Sequence, residues 1–248
     1  MKEIRSRAKK LNFERPLVTV DVVIFCMKDE ALKVLLLRRS DQGDEPFPGR
    51  WALPGGFVDV TKDPSLRDCA SRKLLEKTSI TTPYLEQLGS WGSAHRDPRG
   101  WSTTHAYFAL IQVSDREADS QAFPKDEADG ATTSQWFEVG DAVRKRLAFD
   151  HSEILATAIA RLRSKVEYTS LPAFLLQEPF TLPQLQRAYE VVLGRPMDKS
   201  AFRRRMRDAA FLEEVGVVDG SSGRTALGYR IKNRSIAVTF PRTFRSKE

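Results

Sequence analysis

The chain has 248 residues, 41% of them hydrophobic and 29% charged, with a formal net charge of +7. That is apolar material for one large domain or two modest ones, and it excludes a globally disordered chain. No run of about 18 apolar residues occurs, so no membrane-spanning helix is expected; the two cysteines are too few for a disulfide scaffold.

The basic N-terminus, MKEIRSRAKKLNFERP, lacks the apolar core of a secretion signal, so a cytoplasmic protein is expected. PLVTVDVVIFCM (Pro16–Met27) is β-branched and reads as a strand, with Cys26 a small buried hydrophobe. LKVLLLRRS (Leu32–Ser40) reads as a second strand, paired to the first as a hairpin across Lys28–Ala31. It ends on Arg38 and Arg39, one pointing in and one out; a phosphate or adenine contact and a rim salt bridge are both open to them. A polar loop leads to WALPGGF, read as a short strand that ends on a turn at Gly55–Gly56. Trp51 suits a base stack or the core, the core more often. Pro64–Thr78 carries Leu66, Cys69, Ala70 and Leu74 at helical spacing.

YLEQLGSWG and THAYFALIQV read as strands around the loop SAHRDPRGWS, where Arg96 is assigned to a ligand phosphate, with a structural Arg–Asp pair as the alternative. SQWFEV is a further short strand, and DHSEILATAIARLRSKV is a helix with Asp150 as its N-cap. The three histidines show no metal-ligand spacing, and His151 reads as a helix-start residue.

From His151 onward the sequence has 17 Lys/Arg against 10 Asp/Glu, so the whole positive excess lies in the last two-fifths of the chain. A neutral ligand-handling part joined to a part that meets a polyanion fits this asymmetry; an inert basic surface is the alternative. FTLPQLQRAYEVVLG has Thr181 as N-cap and Gly194 as stop, and a second helix, DKSAFRRRMRDAAF, is capped by Asp198. Phe202 and Met206, four apart, face a core; Lys199, Ser200, Arg203, Arg204 and Arg207 then face out. A strand, a Gly-rich turn with Arg224, and another strand follow. Helix, turn, basic helix and hairpin is the order of a winged helix-turn-helix, and these six residues are the DNA-binding candidates. The alternative is a small helical domain with a solvated arginine face.

Gly55–Ile80, GGFVDVTKDPSLRDCASRKLLEKTSI, resembles the Nudix box, G-x5-E-x7-R-E-U-x-E-E-x-G-U with U aliphatic. Arg72, Leu74, Glu76 and Ile80 match; Lys73, Lys77 and Ser79 depart, and Gly56 to Arg72 is two residues longer than the pattern with no glutamate between. Nudix hydrolases split a diphosphate using Mg²⁺ held by box carboxylates. Positions 73, 76 and 77 share one helical face, and lysine at two of them repels a hard dication. No catalytic residue and no metal ligand is therefore assigned. The two lysines either attract a diphosphate without cutting it or are ordinary solvated lysines. The glycine turn ahead of a helix N-terminus offers amides to an anion.

A Nudix-like domain followed by a winged helix, with the stretches Tyr84–Trp101, Ala148–Tyr168 and Phe180–Gly194, is similar to the Nudix-related transcriptional regulators of NAD metabolism, the NrtR family. The resemblance runs from about Phe13 to Arg234. It implies an α+β protein: an N-terminal Nudix-like α/β/α sandwich with a mixed sheet (residues 1–164) for effector binding and dimerisation, then a C-terminal winged helix-turn-helix (165–248). It implies a homodimeric repressor of NAD biosynthesis or salvage genes, bound to a palindromic operator in double-stranded DNA and released by ADP-ribose, with Mg²⁺ not essential. The effector-binding candidates are Arg38, Arg39, Trp51, Gly55, Gly56, Phe57, Arg72, Glu76 and Arg96. The alternatives are an active ADP-ribose pyrophosphatase in which another carboxylate such as Glu86 restores the metal site, a regulator of the same architecture sensing another sugar or nucleotide, and a Nudix-like RNA-binding protein.

Overall fold

The computed structural model describes residues 14–79, 81–82, 84–113, 131–219 and 225–244; the basic N-terminal segment to residue 13, Ile80 and Arg224 lie outside them. In chain order the first part comprises β1 (Leu17–Lys28), β2 (Ala31–Arg39), β3 (Trp51–Ala52), β4 (Gly55–Phe57), α1 (Leu66–Thr78), β5 (Tyr84–Ser93), β6 (Ser102–Leu110), β7 (Ala131–Glu138), the short α2 (Val139–Ala142) and α3 (His151–Val166). β1 and β2 form the expected hairpin, Lys28 opposite Ala31. Asp29 and Glu30 between them both have positive φ, 51° and 54°, the two-residue turn whose twist suits paired strands.

β6 lies parallel to β1 and antiparallel to β5, giving a mixed sheet in the order β3-β2-β1-β6-β5, with β4 added to β1 and β7 to β2. The alternation of β1 decides what each face receives. Val20, Val22, Ile24 and Cys26 meet Cys69, Ala70 and Leu74 of α1 on one side. Val23 and Phe25 meet Ile154, Leu155, Ala158 and Leu162 of α3 on the other. The result is the three-layer sandwich expected. Both cysteines are buried, and burial pushes each thiol up to about 12.

WALPGGF departs from its reading. It holds two strands, β3 against β2 and β4 against β1, so the glycine pair lies inside a ladder and is no terminal turn. The close approach to β1 explains Gly55: a Cβ there would stand 2.1 Å from Asp21 Oδ1 and 2.6 Å from the Val20 carbonyl. The glycines therefore do not form the anion-binding lead into α1. That helix begins at Leu66, and its N-terminus is served by its own residues, Ser65 accepting from Asp68 N–H.

The second part comprises β8 (Phe180–Thr181), α4 (Leu182–Leu193), α5 (Lys199–Ala209), β9 (Leu212–Asp219) and β10 (Thr225–Ile231). Thr181 and Gln184 close a capping box, Gly194 ends α4 at φ 69°, and Asp198 caps α5 through Ala201 N–H at 2.7 Å. Phe202 and Met206 are buried, and Tyr189, Phe202 and Phe244 pack ring against ring. β9 and β10 form the hairpin that completes the winged helix, with β8 as third strand. A buried 3₁₀ turn, Leu171–Leu175, joins the parts, and one apolar cluster runs from the α3 face of the sheet through it into the winged helix.

Candidate ligand cleft and basic helix

Asp21 is the odd residue of β1, a carboxylate on the α3 face between apolar neighbours, 5% exposed. Burial opposes its charge, but the His151 ring and Arg96 outweigh that, so its carboxyl titrates below the usual range. His151, the first residue of α3, accepts Leu53 N–H on Nδ1 at 2.9 Å, so that nitrogen carries no proton and Nε2–H faces Asp21 Oδ2 at 3.5 Å. Arg96, from the loop joining β5 to β6, donates to both oxygens of Asp150 at 2.8 and 2.9 Å and lies 3.7 Å from Asp21. This corrects the reading of Asp150. It occupies the N-cap position of α3 but makes no side-chain cap, because Arg96 claims its carboxylate. The structural Arg–Asp reading of Arg96 holds, with Asp150 as partner, and the paired guanidinium also lines a cleft.

That cleft, about 150 Å³, lies where the start of β1, the end of β2 and β4 come together; Arg39, Gly55, Gly56, Phe57 and Arg96 line it, as do Asp21, Glu45, Arg99, Phe149 and His151. Sequence reasoning placed none of this second group among the effector candidates. Asp21 carried a usable signal, a lone carboxylate in an apolar strand, which is seldom placed there without a partner. The others come from loops and a helix start that only the fold brings together.

Four effector candidates lie elsewhere. Arg38 is outward, tied to Asp41 at 3.1 Å, so the in-and-out alternation expected of the arginine pair holds. Trp51 packs edge-on against Phe137, ring centroids 4.8 Å apart. Arg72 is held by Asp63 at 2.7 and 2.6 Å and by Glu76 at 2.9 Å. Asp63 thus supplies the carboxylate that the box lacks as a glutamate. Glu76 also meets Lys73 at 3.5 Å. Lys73 and Lys77 are not solvated: they are 6% and 3% exposed, and neither lines the cleft.

The face at positions 73, 76 and 77 therefore offers one carboxylate, already engaged by Arg72 and Lys73, between two ammonium groups. This donor set does not fit Mg²⁺. Glu86 does not restore it: it sits on the opposite face of the sheet, bonded to Lys165, Arg161 and Tyr84 near the end of α3.

On the winged helix, Lys199, Ser200, Arg203, Arg204 and Arg207 are all exposed along α5, a continuous basic face. Arg205, the third of the consecutive arginines, turns inward, its guanidinium 3.9 Å over the Phe244 ring.

Comparison with known proteins agrees with both halves. Residues 15–158 match the NUDIX domain model, and residues 172–231 match the NrtR DNA-binding winged helix domain. Over 234 residues the chain is 44% identical to the ADPR responsive transcriptional repressor NtrR of Acinetobacter baylyi, spanning 94% of this chain and 89% of that protein. It aligns with the structure of Shewanella oneidensis NrtR complexed with a 27-mer DNA at 41% identity and TM-score 0.79, over 92% of this chain and 99% of the other. The NUDIX domain of that Shewanella protein, complexed with ADP ribose, aligns at 39% identity and TM-score 0.55, over 65% of this chain and 97% of the other.

Proposed function

Because the chain belongs to the NrtR family of Nudix-related transcriptional regulators, we propose that it is a DNA-binding repressor of NAD biosynthesis or salvage genes that leaves its operator when ADP-ribose fills the Nudix cleft. The observation that carries this reading is likeness to an ADPR responsive repressor along 94% of the chain. The Nudix-like part (1–164) receives the nucleotide and pairs two copies; the winged helix (165–248) reads the DNA. Arg203, Arg204 and Arg207, with Lys199 and Ser200, enter the major groove or grip its phosphates, and Arg224 is a further DNA contact. A homodimer on a palindromic operator follows from how few bases one winged helix of this size reaches. The protein works in the cytoplasm.

The Nudix part binds without hydrolysing. Phosphoryl chemistry depends on metal positioning and charge stabilisation, and the lysine-flanked Glu76 offers neither. Mg²⁺ is accordingly not essential for effector binding. Incubating the full chain with ADP-ribose and bound duplex, once with Mg²⁺ and once with a chelator, tests both statements. The expected result is released DNA and intact nucleotide. Turnover near a typical enzyme rate, about 10 per second, would establish the pyrophosphatase alternative instead.

A further inference from the structure

Every arginine that lines the cleft already holds a carboxylate, and one of those carboxylates is shared. Arg39, at the end of β2, donates Nη2–H to Glu45 Oε2 at 2.7 Å. Arg99, from the loop between β5 and β6, donates Nη1–H to the same oxygen at 3.2 Å. Each guanidinium group also has anchors besides the Glu45 carboxylate. Arg39 gives Nε–H to the Pro46 carbonyl at 2.7 Å and lies 5.1 Å over the Phe149 ring. Arg99 gives Nε–H and Nη2–H to Asp97 at 3.1 and 2.9 Å and lies 5.2 Å over the Phe57 ring. A single acidic oxygen between two fixed guanidinium groups reproduces the surroundings of a phosphate oxygen in an arginine clamp.

Charge and exposure say which carboxylate yields. The lining carries Asp21, Glu45 and Asp97 against Arg39, Arg96 and Arg99, an even balance. A diphosphate adds at least two negative charges, so its entry favours the loss of a carboxylate. Asp21 and Asp97 are 5% and 2% exposed and tied into buried bonds. The Glu45 side chain is 46% exposed, in the loop joining β2 to β3. The cleft at about 150 Å³ is also below the roughly 300–1,000 Å³ typical of small-molecule sites. Removing Glu45 from the lining frees two arginines and enlarges the space together.

We propose that Arg39 and Arg99 form a diphosphate subsite, and that Glu45 is the internal anion which the ligand's diphosphate displaces from it. The proposal rests on the nucleotide-binding reading of the cleft and bears on the affinity of that site: Glu45 competes with the ligand and so raises the concentration at which the chain responds.

Calorimetric titration of the full chain tests it, with ADP-ribose, inorganic pyrophosphate and adenosine as probes. Glu45→Gln keeps the size and removes the charge. It is expected to tighten ADP-ribose and pyrophosphate about two- to fivefold, the range for releasing an exposed ion pair, and to leave adenosine unchanged. Arg99→Gln is expected to weaken the two phosphate probes roughly tenfold, Arg99→Lys less so, and the gain from Glu45→Gln should shrink in the Arg99→Gln background. Thermal melting checks that each variant is folded. Unchanged or weaker binding of both phosphate probes by Glu45→Gln overturns the proposal, as does equal tightening of adenosine. If the parent chain ignores ADP-ribose while Glu45→Gln still tightens pyrophosphate, the subsite stands and the nucleotide reading falls.

Discussion

Asp63 lies between Gly56 and Arg72, where the Nudix pattern calls for a glutamate and the sequence has none. Its side chain is 1% exposed and takes two hydrogen bonds from Arg72, which hold its carboxyl well below the usual range. The lowered value fixes the sign of the pH effect. The bond contributes its full stability above the unfolded carboxyl value, about pH 4, and loses it as pH falls further toward the folded one. Asp63→Asn is expected to cost about 2 kcal/mol near neutrality in a denaturant melt, and the gap to the parent chain should narrow below about pH 4. A gap that is constant with pH would mean that the contribution of Asp63 does not come from its ionised pair with Arg72. His151 is the second decisive residue, because it satisfies Leu53 N–H and faces Asp21 inside the sandwich. His151→Phe keeps the ring but leaves a buried donor without an acceptor. A loss of about 1–3 kcal/mol is expected, and the same melt checks it.

The elements differ in how far the sequence announced them. α5 was visible from apolar spacing and its cap, and the spacing of Phe202 and Met206 alone set which way the arginines of α5 face. The three residues of β4 carry no pattern; only the ladder to β1 makes them a strand, so the glycine pair passed for a turn. Asp150 has the sequence of a cap, and its true partner, Arg96, arrives from a distant loop. Glu45 and Arg99 likewise meet only through the fold. Within α5 the arginines now divide by burial. Arg205→Ala should lower thermal stability through lost contact with Phe244 and leave the salt dependence of DNA binding unchanged. Alanine at Arg203, Arg204 or Arg207 should do the reverse. A phosphate-gripping arginine lowers the salt slope by about one unit for every sequence, and a base-reading one costs about 1–3 kcal/mol at one position. Operator binding unchanged by the triple alanine variant would exclude α5 as the reader.

At the scale of the molecule, the cleft and the basic helix belong to one packed body. Phe174 and Tyr189 share an apolar cluster with Phe25 and Leu162, the 3₁₀ turn Leu171–Leu175 is buried, and Tyr189 donates its hydroxyl to the Thr169 carbonyl at 2.8 Å. Arg187 of α4 also reaches Glu30 of the β1–β2 turn at 3.1 Å. A join of this kind transmits rotation where a loose tether would absorb it. In a dimer the two reading helices must stay about 34–36 Å apart to enter successive major grooves, so a small rotation is enough to lose one half-site. The central claim is that nucleotide and DNA oppose each other through this body, and equilibrium linkage makes it measurable from both ends. The decisive measurement is a pair of titrations on the full chain with a duplex it selects from a random pool: DNA affinity with ADP-ribose saturating, and ADP-ribose affinity with that duplex saturating. Both affinities should weaken by the same factor, about 5- to 150-fold. Two unmoved affinities, or two that tighten, would contradict the account.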